Sequence, residues 1–287
     1  LDGVVIRDNA NHGFITNNGG SNPSTVANVV IENAVFEGNG FGNGSADINL
    51  FLFNGNATLR NVDILGTRST DVASATDYGL QIRGNGRLLD ATDTVQPSGS
   101  ITLEDVRIAG TYKKAHLAIQ DYSDLSGVSM TDVQLGGAVI GTVAGDVTES
   151  AAGWGAFFSS ETKGTLNLGN TNFAGHSGSF DINLGNDTSG LEIDATGIRV
   201  EGVAVADMST SELFDVEDRI AHKLDESPHA LGFVQVKENQ VYVTRNSGSI
   251  QRGINAADSG DVVNVQSGIY NENLTIDKAL TLDGEGA

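Results

Sequence analysis

An eight-residue pattern occurs seven times in the first 200 residues and constrains the fold more than any other feature of this chain. Its first and sixth positions are apolar in every copy, and its third is Gly, Asn or Asp in six of them. These three residue types adopt positive φ at the lowest cost, so the pattern predicts two short strands joined by a sharp left-handed corner. The copies LDGVVIRD, IENAVFEG, LRNVDILG, LEDVRIAG, MTDVQLGG, LGNTNFAG and IDATGIRV begin at residues 1, 31, 59, 103, 130, 168 and 193.

The corner position predicts a ladder of polar side chains along the stacked copies. Its members are Asn33, Asn61, Asp105, Asp132 and Asn170. Asp105 and Asp132 occupy consecutive copies, as a catalytic pair of carboxylates would. In other copies of the pattern the same position is Asn, which cannot act as an acid. We therefore expect that this position serves the backbone conformation and not catalysis.

The spacing of the copies predicts a solenoid. They begin 25 to 44 residues apart, and one turn with three short faces needs roughly 20 to 30 residues at ~3.3 Å per strand residue. A second apolar series lies between the copies, for example at Ile48, Leu80 and Leu117, and predicts a further face. A single turn cannot bury its apolar face alone, so stacking on neighbouring turns must stabilise it.

The periodicity changes after residue 207. Residues 208–226 show helical spacing of Leu213, Val216, Ile220 and Leu224 behind a Ser209-x-x-Glu212 capping box. Residues 233–236 and 241–243 alternate like the two strands of a β-hairpin. We expect this segment to close one solenoid and lead into the next part of the chain.

Residues 249–287 predict a helix capped by Ser249, then short strands at 262–265, 274–276 and 280–282. The motifs G-x-Y-x-E-x-L, at Gly268, Tyr270 and Glu272, and L-T-L-x-G-x-G follow the first of these strands. This order resembles the opening cap and first coil of pectin-lyase-like right-handed parallel β-helices. The resemblance covers about forty residues and implies a fold but no activity, because that superfamily includes lyases, esterases, epimerases, adhesins and proteins without catalysis.

The expected fold is therefore all-β, a right-handed parallel β-helix. It has three parts: the β-helix body at residues 1–207, a linker helix and hairpin at 208–248, and the opening cap and first coil of a second β-helix at 249–287. A cap at the end of the chain is explained if the sequence is one period of a larger tandem or polymeric protein. A circular permutation is the alternative.

The amino-acid composition limits the classes of partner that this chain could bind. The net charge of −21 argues against nucleic acid, which requires clustered Lys and Arg. The chain has no Cys and no apolar run of 18 residues, so we expect neither disulfides nor membrane insertion. Leu1 does not begin a signal peptide, which suits a mature fragment of an extracellular or cell-surface protein.

Few residues suggest chemistry. The motifs N-T-D, D-D, G-H-G, R-x-K and D-P-H-E, which carry catalysis in enzymes of the resembling superfamily, do not occur. Gly268, Tyr270 and Glu272 occur in the cap of pectin methylesterases too, but as fold markers. The five His show no metal-ligand spacing, so no catalytic residue and no resident cofactor is predicted.

The sequence also offers two weaker candidates for a binding site. Asp121, Asp124 and Asp132, around the loop DYSDLSG, offer carboxylates for calcium, although a solvated turn is the simpler interpretation. Aromatic residues that could stack on a sugar ring are Trp154, Tyr78, Tyr112 and Tyr122. For Trp154 we favour packing.

The function expected from the sequence is a structural or adhesive repeat unit of an extracellular fibre, sheath or giant surface protein. Its partners would be copies of itself or adjacent repeats, stacked end to end, and surface polysaccharide is a further candidate. The predicted assembly edges comprise Leu1, Val4, Ile6, Leu280 and Leu282. The alternatives on the same fold are a secreted polysaccharide lyase or epimerase and a glycan-binding module.

Overall fold

A computed structural model describes residues 1–17, 27–40, 45–53, 55–66, 75–84, 99–121, 124–137, 154–159, 161–175 and 179–286. As far as Ser159, strands that follow one another along the chain alternate between two large sheets, and a third sheet joins the succession after it. The first sheet contains, in spatial order, β1 (Val5–Arg7), β3 (Ala27–Glu37), β5 (Gly55–Leu65), β7 (Ile101–Ala109), β9 (Val128–Gly136), β12 (Asn172–Ala174), β15 (Arg199–Val200) and β16 (Val203–Ala204). The second contains, starting from its opposite edge, β2 (Phe14–Asn17), β4 (Ala46–Phe53), β6 (Tyr78–Gly84), β8 (Ala115–Gln120), β10 (Trp154–Ser159), β13 (Phe180–Leu184) and β17 (Ile220–Ala221).

Two smaller sheets complete the described strands. One consists of β11 (Gly164–Asn167), β14 (Leu191–Asp194) and β18 (Phe233–Gln235). The other consists of β19 (Gln240–Val243), β20 (Val262–Val265) and β21 (Thr281–Gly284). Of the strand pairs described, only β15 with β16 is antiparallel. The fold is all-β with long parallel sheets, an arrangement compatible with a β-helix-like solenoid. We call each set of strands that forms one level of the stacked sheets a rung.

Apolar rows hold the rungs together. Ile31, Leu59 and Leu103 share one register of the first sheet and are fully buried. The sixth position of the sequence pattern forms a parallel row, in which Phe36 and Ile64 are also fully buried. Each such side chain contributes about 1.5–3 kcal/mol when it leaves water, and it does so only against the rungs above and below.

The corner residues adopt the expected backbone. Asn33, Asn61, Asp105 and Asp132 have φ between 50° and 53°, so the long strands bend there without losing their ladder. Asn170 differs, because Gly169 takes the positive φ of 58° in that copy. A turn there, closed by the Thr171 N–H donating to Leu168 O at 3.1 Å, separates β11 from β12.

The first helix is shorter than its apolar spacing predicts. It is α1 (Thr210–Glu217), and Ser209 and Glu212 form the predicted capping box. Ile220 is wrongly placed on the helix by the sequence, because it pairs with Ile182 as part of β17. Arg219 directs the chain onto the sheet by donating two hydrogen bonds to Asp181, at 2.6 and 2.8 Å.

The predicted hairpin is wrong. Its two strands enter different sheets, because β18 pairs in parallel with β14 and β19 pairs in parallel with β20. The chain does reverse at Asn239, whose φ is 56°, but only an isolated antiparallel bridge joins Lys237 to Gln240. The free edges of existing parallel sheets outcompete the local pairing.

The C-terminal segment folds largely as predicted. Ser249 caps α2 (Ile250–Ala256), and its hydroxyl accepts the N–H of Arg252. The strands β20 and β21 lie where the alternation places them, but residues 274–276 form no strand and are exposed. No further rung is described above them, so they lack the partner that would order them as a ladder.

The division of the chain at residue 207 stays a prediction. A large apolar core extends from Ile31 to Tyr242 and includes Phe214 of α1. A second cluster, which contains Val243, Val263 and the partly buried Ile250, lies under α2. The cap therefore shares its cluster with Leu224, Val241 and Val243 of the segment before it, while helix α1 packs with the large core.

We expect Asn61→Ala to lower the free energy of unfolding by about 1–2 kcal/mol, because alanine must hold the left-handed corner at φ 51°. Asn61→Gly keeps the backbone conformation accessible and should recover most of this loss. Urea unfolding followed by circular dichroism measures both. Equal losses for the two variants would show that the side-chain amide, and not the corner, matters.

Candidate functional site

The β1 edge is an open end of the first sheet in the described structure. Val4 and Ile6 pack on the core from one side only and stay partly exposed. Val5, on the outer side, is 63 % exposed, and Leu1 is also exposed. The predicted residues Leu1, Val4 and Ile6 thus lie together at one end of the stack.

The β21 edge is the open end of the C-terminal sheet, and all four of its residues are exposed. Leu282 continues the buried row of Val241 and Val263 yet is 39 % exposed. Leu280 packs partly against the same cluster. Leu280 and Leu282, the residues predicted for this edge, therefore lie in a part of the chain that is covered on one side only.

The first sheet is closed at the end opposite β1. There β16 folds back antiparallel on β15, and α1 places Leu213, Phe214 and Val216 over the core. A reversed two-residue strand does not offer a parallel continuation. By contrast, β1 and β21 are edge strands that pair in parallel on one side and have no further partner strand among the described residues.

The corner ladder is an exposed chain of hydrogen bonds. Asn61 Nδ2 donates to Asn33 Oδ1 at 2.8 Å, and Asn33 Nδ2 donates to Asp2 Oδ1 at 2.9 Å. Further along, Asn170 Nδ2 donates to Asp132 Oδ1 at 2.5 Å. Each bond joins successive rungs, so the ladder fixes their register. Asp105 and Asp132 are neighbours in this ladder, and Asp132 is already engaged by the Asn170 amide.

The three residues predicted for calcium have separate partners. Asp121 is buried and pairs with Arg83 at 2.7 Å. Asp124 accepts the N–H of Ser126 at 2.9 Å, and Asp132 belongs to the corner ladder. The described residues contain no group of three His, Asp or Glu that could hold a metal ion, and Tyr122 and Ser123 lie outside them, so calcium at this loop stays a prediction.

The G-x-Y-x-E motif holds the cap together. Glu272 accepts the N–H groups of Ile250 at 2.7 Å and Gln251 at 3.1 Å, and the Ser249 hydroxyl at 2.9 Å. Burial opposes its ionisation, but these bonds outweigh it and lower the pKa of Glu272 from 4.5. A side chain at Gly268 would collide with Arg245, 2.8 Å from the added carbon. Within the motif, Glu272 therefore caps α2.

The core contains a buried polar network that the sequence did not predict. Asp47 is fully buried; it accepts the N–H of Asn39 at 2.9 Å and the hydroxyl of Tyr112 at 2.9 Å. Tyr112 reaches it across the intervening rung, where Gly66 and Gly79 leave room for the ring: added carbons there would lie 2.8 and 3.0 Å from its Cζ. The only signal was one acid between two apolar residues, Ala46 and Ile48.

Burial raises the pKa of Asp47 from 3.8 to about 7, against the lowering effect of its hydrogen bonds from Asn39 and Tyr112. The carboxyl therefore changes charge near neutral pH inside the core. Its full burial keeps it away from any substrate, so it acts on stability.

A second buried pair links α1 to β18. His222 Nδ1 accepts the N–H of Val234 at 3.1 Å, so its Nε2–H donates to Glu217, 2.6 Å away. Both side chains are buried. The pair joins elements that are distant along the sequence, and its place in the core is structural.

The aromatic candidates separate into two groups. Trp154 stacks on Phe157 with 4.5 Å between ring centroids, beside the buried Tyr78. The ammonium of Lys114 lies 5.4 Å from the centre of the Tyr78 ring. Tyr112 lies in the core, and Tyr122 lies outside the described residues. Trp154 and Tyr78 belong to one cluster, in which they flank Ala115 from opposite sides.

In comparisons with known proteins, no protein-family model, no curated protein and no solved structure matches this chain. Among the described residues, no helix is both long enough and apolar enough to cross a membrane.

We expect Glu272→Ala to destabilise the protein by about 1 kcal/mol at pH 7 through loss of the cap on α2. Because the folded pKa of Glu272 is depressed, its contribution is present above the pKa of the unfolded chain and disappears as the pH falls below about 4.5. Thermal unfolding across this pH range measures it, with the exposed Asn273→Ala as the control. A loss that persists at pH 3 would contradict the capping role.

Asp47→Asn should remove a pH dependence. The raised pKa of Asp47 means that its contribution is complete below pH ~4 and is lost as the pH rises through 7, by on the order of 4 kcal/mol. The stability of the wild type relative to the variant should therefore fall between pH 4 and 8. Urea unfolding of both proteins at matched pH tests this, and parallel curves would contradict it.

Proposed function

We propose that this chain is a structural or adhesive unit of an extracellular fibre, sheath or surface protein, built as a right-handed, pectin-lyase-like parallel β-helix. Units assemble end to end by continuing their parallel sheets. The chain order, in which the closed end of the first sheet is followed by a second apolar cluster under α2, supports such an array. The acidic composition suits a surface exposed to solvent rather than a polyanion partner.

The state of the sheet edges carries the proposal. Leu282 belongs to a buried row of the C-terminal sheet but lacks a cover on one side, and the same holds for Ile6 at the other end. Exposed parallel edges with apolar inner rows are templates for pairing with another chain. The first sheet is closed at its other end, where β16 covers β15.

The described polar clusters do not support catalysis. The pairs Asp47–Tyr112 and His222–Glu217 lie in the core, and Glu272 is occupied by the helix that it caps. The corner ladder is exposed, and in it Asp2 and Asp132 accept hydrogen bonds from Asn33 and Asn170. These groups explain stability and register without a substrate.

Glycan binding is the second candidate, and one observation favours it. Trp154 and Phe157 form a stacked, partly exposed pair beside Lys114 and Tyr78, a combination that suits the face of a sugar ring. Such a site would serve an adhesive unit equally well, so the two candidates share the same scaffold.

The first test is the state of association of the full chain. We expect sedimentation velocity to show concentration-dependent oligomers, and Leu282→Lys to weaken association about tenfold, because a charge replaces apolar surface at the interface. Val203→Lys is the matched control, since Val203 is 49 % exposed on the closed edge β16. A wild type that stays monomeric at all concentrations and binds polysaccharide would overturn assembly in favour of the glycan-binding module.

A further inference from the structure

We propose that the β21 edge of one copy pairs in parallel with the β1 edge of a second copy in a single register, in which Leu282 lies opposite Ile6. Thr281 then lies opposite Val5, and Asp283 opposite Arg7. This inference rests on the proposed end-to-end assembly and adds the geometry of the contact. Three independent features select the register.

The first feature is the direction of the backbone groups. The N–H groups of Thr281 and Glu285 donate to β20, at Asp261 O and Val265 O. Successive residues of a strand point their backbone groups to opposite sides, so those of Leu282 face the open edge. On β1, Val4 O accepts the N–H of Val35, and the Asp8 N–H donates to Glu37 O, so the groups of Val5 and Arg7 face outward.

These directions fit the pairing. With Leu282 opposite Ile6, the Leu282 N–H meets Val5 O, and the Arg7 N–H meets Leu282 O. This is the bonding scheme of a parallel ladder. A shift by one residue would oppose groups that point away from each other.

The second feature is the apolar row. Leu282 follows Val263 in the inner row of its sheet, and Ile6 precedes the fully buried Phe36 in the inner row of the other. The proposed register makes these one continuous row. A slip of one residue would place Asp283 in that row, where an unpaired charge is costly.

The third feature is charge, and it excludes slips of two residues. Arg7 is the neighbour of Glu37 across β1 and β3, and its guanidinium lies 4.0 Å from the exposed Asp8. The proposed register adds Asp283 on its open side, which places one arginine between two acids on successive rungs. A slip of two residues would remove this pairing and set Asp283 beside Val5 or beyond Arg7.

The body already contains this arrangement. Arg60 lies between Glu32 and Glu104 on three successive strands, with contacts of 2.6 and 2.8 Å. Arg107 likewise pairs across strands with Asp63 at 2.8 Å. An acid–arginine–acid ladder is therefore a pattern that the parallel sheet of this chain forms on its outer face.

Cysteine cross-linking of the full chain tests the register, because the natural sequence has no Cys. Residues opposite each other in neighbouring strands lie about 4.8 Å apart, within the range that a disulfide spans. The variant Val5→Cys with Thr281→Cys should form disulfide-linked multimers under mild oxidation. The control, Val5→Cys with Ala279→Cys, is two residues out of register and should not.

A charge swap supplies the second arm. Arg7→Glu alone and Asp283→Lys alone should each weaken association about fivefold, and the two together should restore it. Sedimentation velocity, with circular dichroism to confirm folding, measures all three. Failure of the double variant to recover would overturn the register.

The outcomes separate the two claims. Oligomers with cross-links in the first cysteine pair and not in the second support the register. Oligomers that cross-link through the control pair, or through neither, overturn the register and leave the proposed assembly standing. A wild-type chain without oligomers overturns both.

Discussion

The burial of apolar rows between successive rungs is the interaction on which this structure depends. A single rung exposes its inner side chains on both sides, so Leu59 or Ile64 is buried only because strands lie above and below it. Stability is therefore shared between neighbours, and the ends of a stack differ in kind from its middle. Every end must be closed by a different element or continued by another rung.

Polar residues inside and along the stack fix its register. The corner amides join rung to rung on the surface, while Tyr112 passes between two glycines to bond with Asp47 in the core. Apolar rows alone tolerate a slip of two residues, because the side-chain period is two. Hydrogen bonds between particular side chains exclude such slips. The burial of the Asp47 carboxyl costs desolvation free energy.

The two ends of the stack are terminated in different ways. One end of the body is closed by α1 and the reversed strand β16, and the chain then begins a separate core under α2. The open strands β1 and β21 are both parallel edges with apolar inner sides. An interface between two different edges is heterologous and propagates in one direction, which is the geometry of a filament rather than of a closed dimer.

The sequence by itself determined the repeated bend, the inner rows, the capping box at Ser209 and the helix capped by Ser249, because each depends on local backbone preference or on period. It could not decide where Ile220, β18 and Asp47 belong. The helical spacing of Ile220 and the hairpin-like alternation at 233–243 were locally valid, but the free edges of β13, β14 and β20 offered more hydrogen bonds and burial. The Asp47–Tyr112 contact joins residues 65 apart, and only the stacking of rungs brings such positions together.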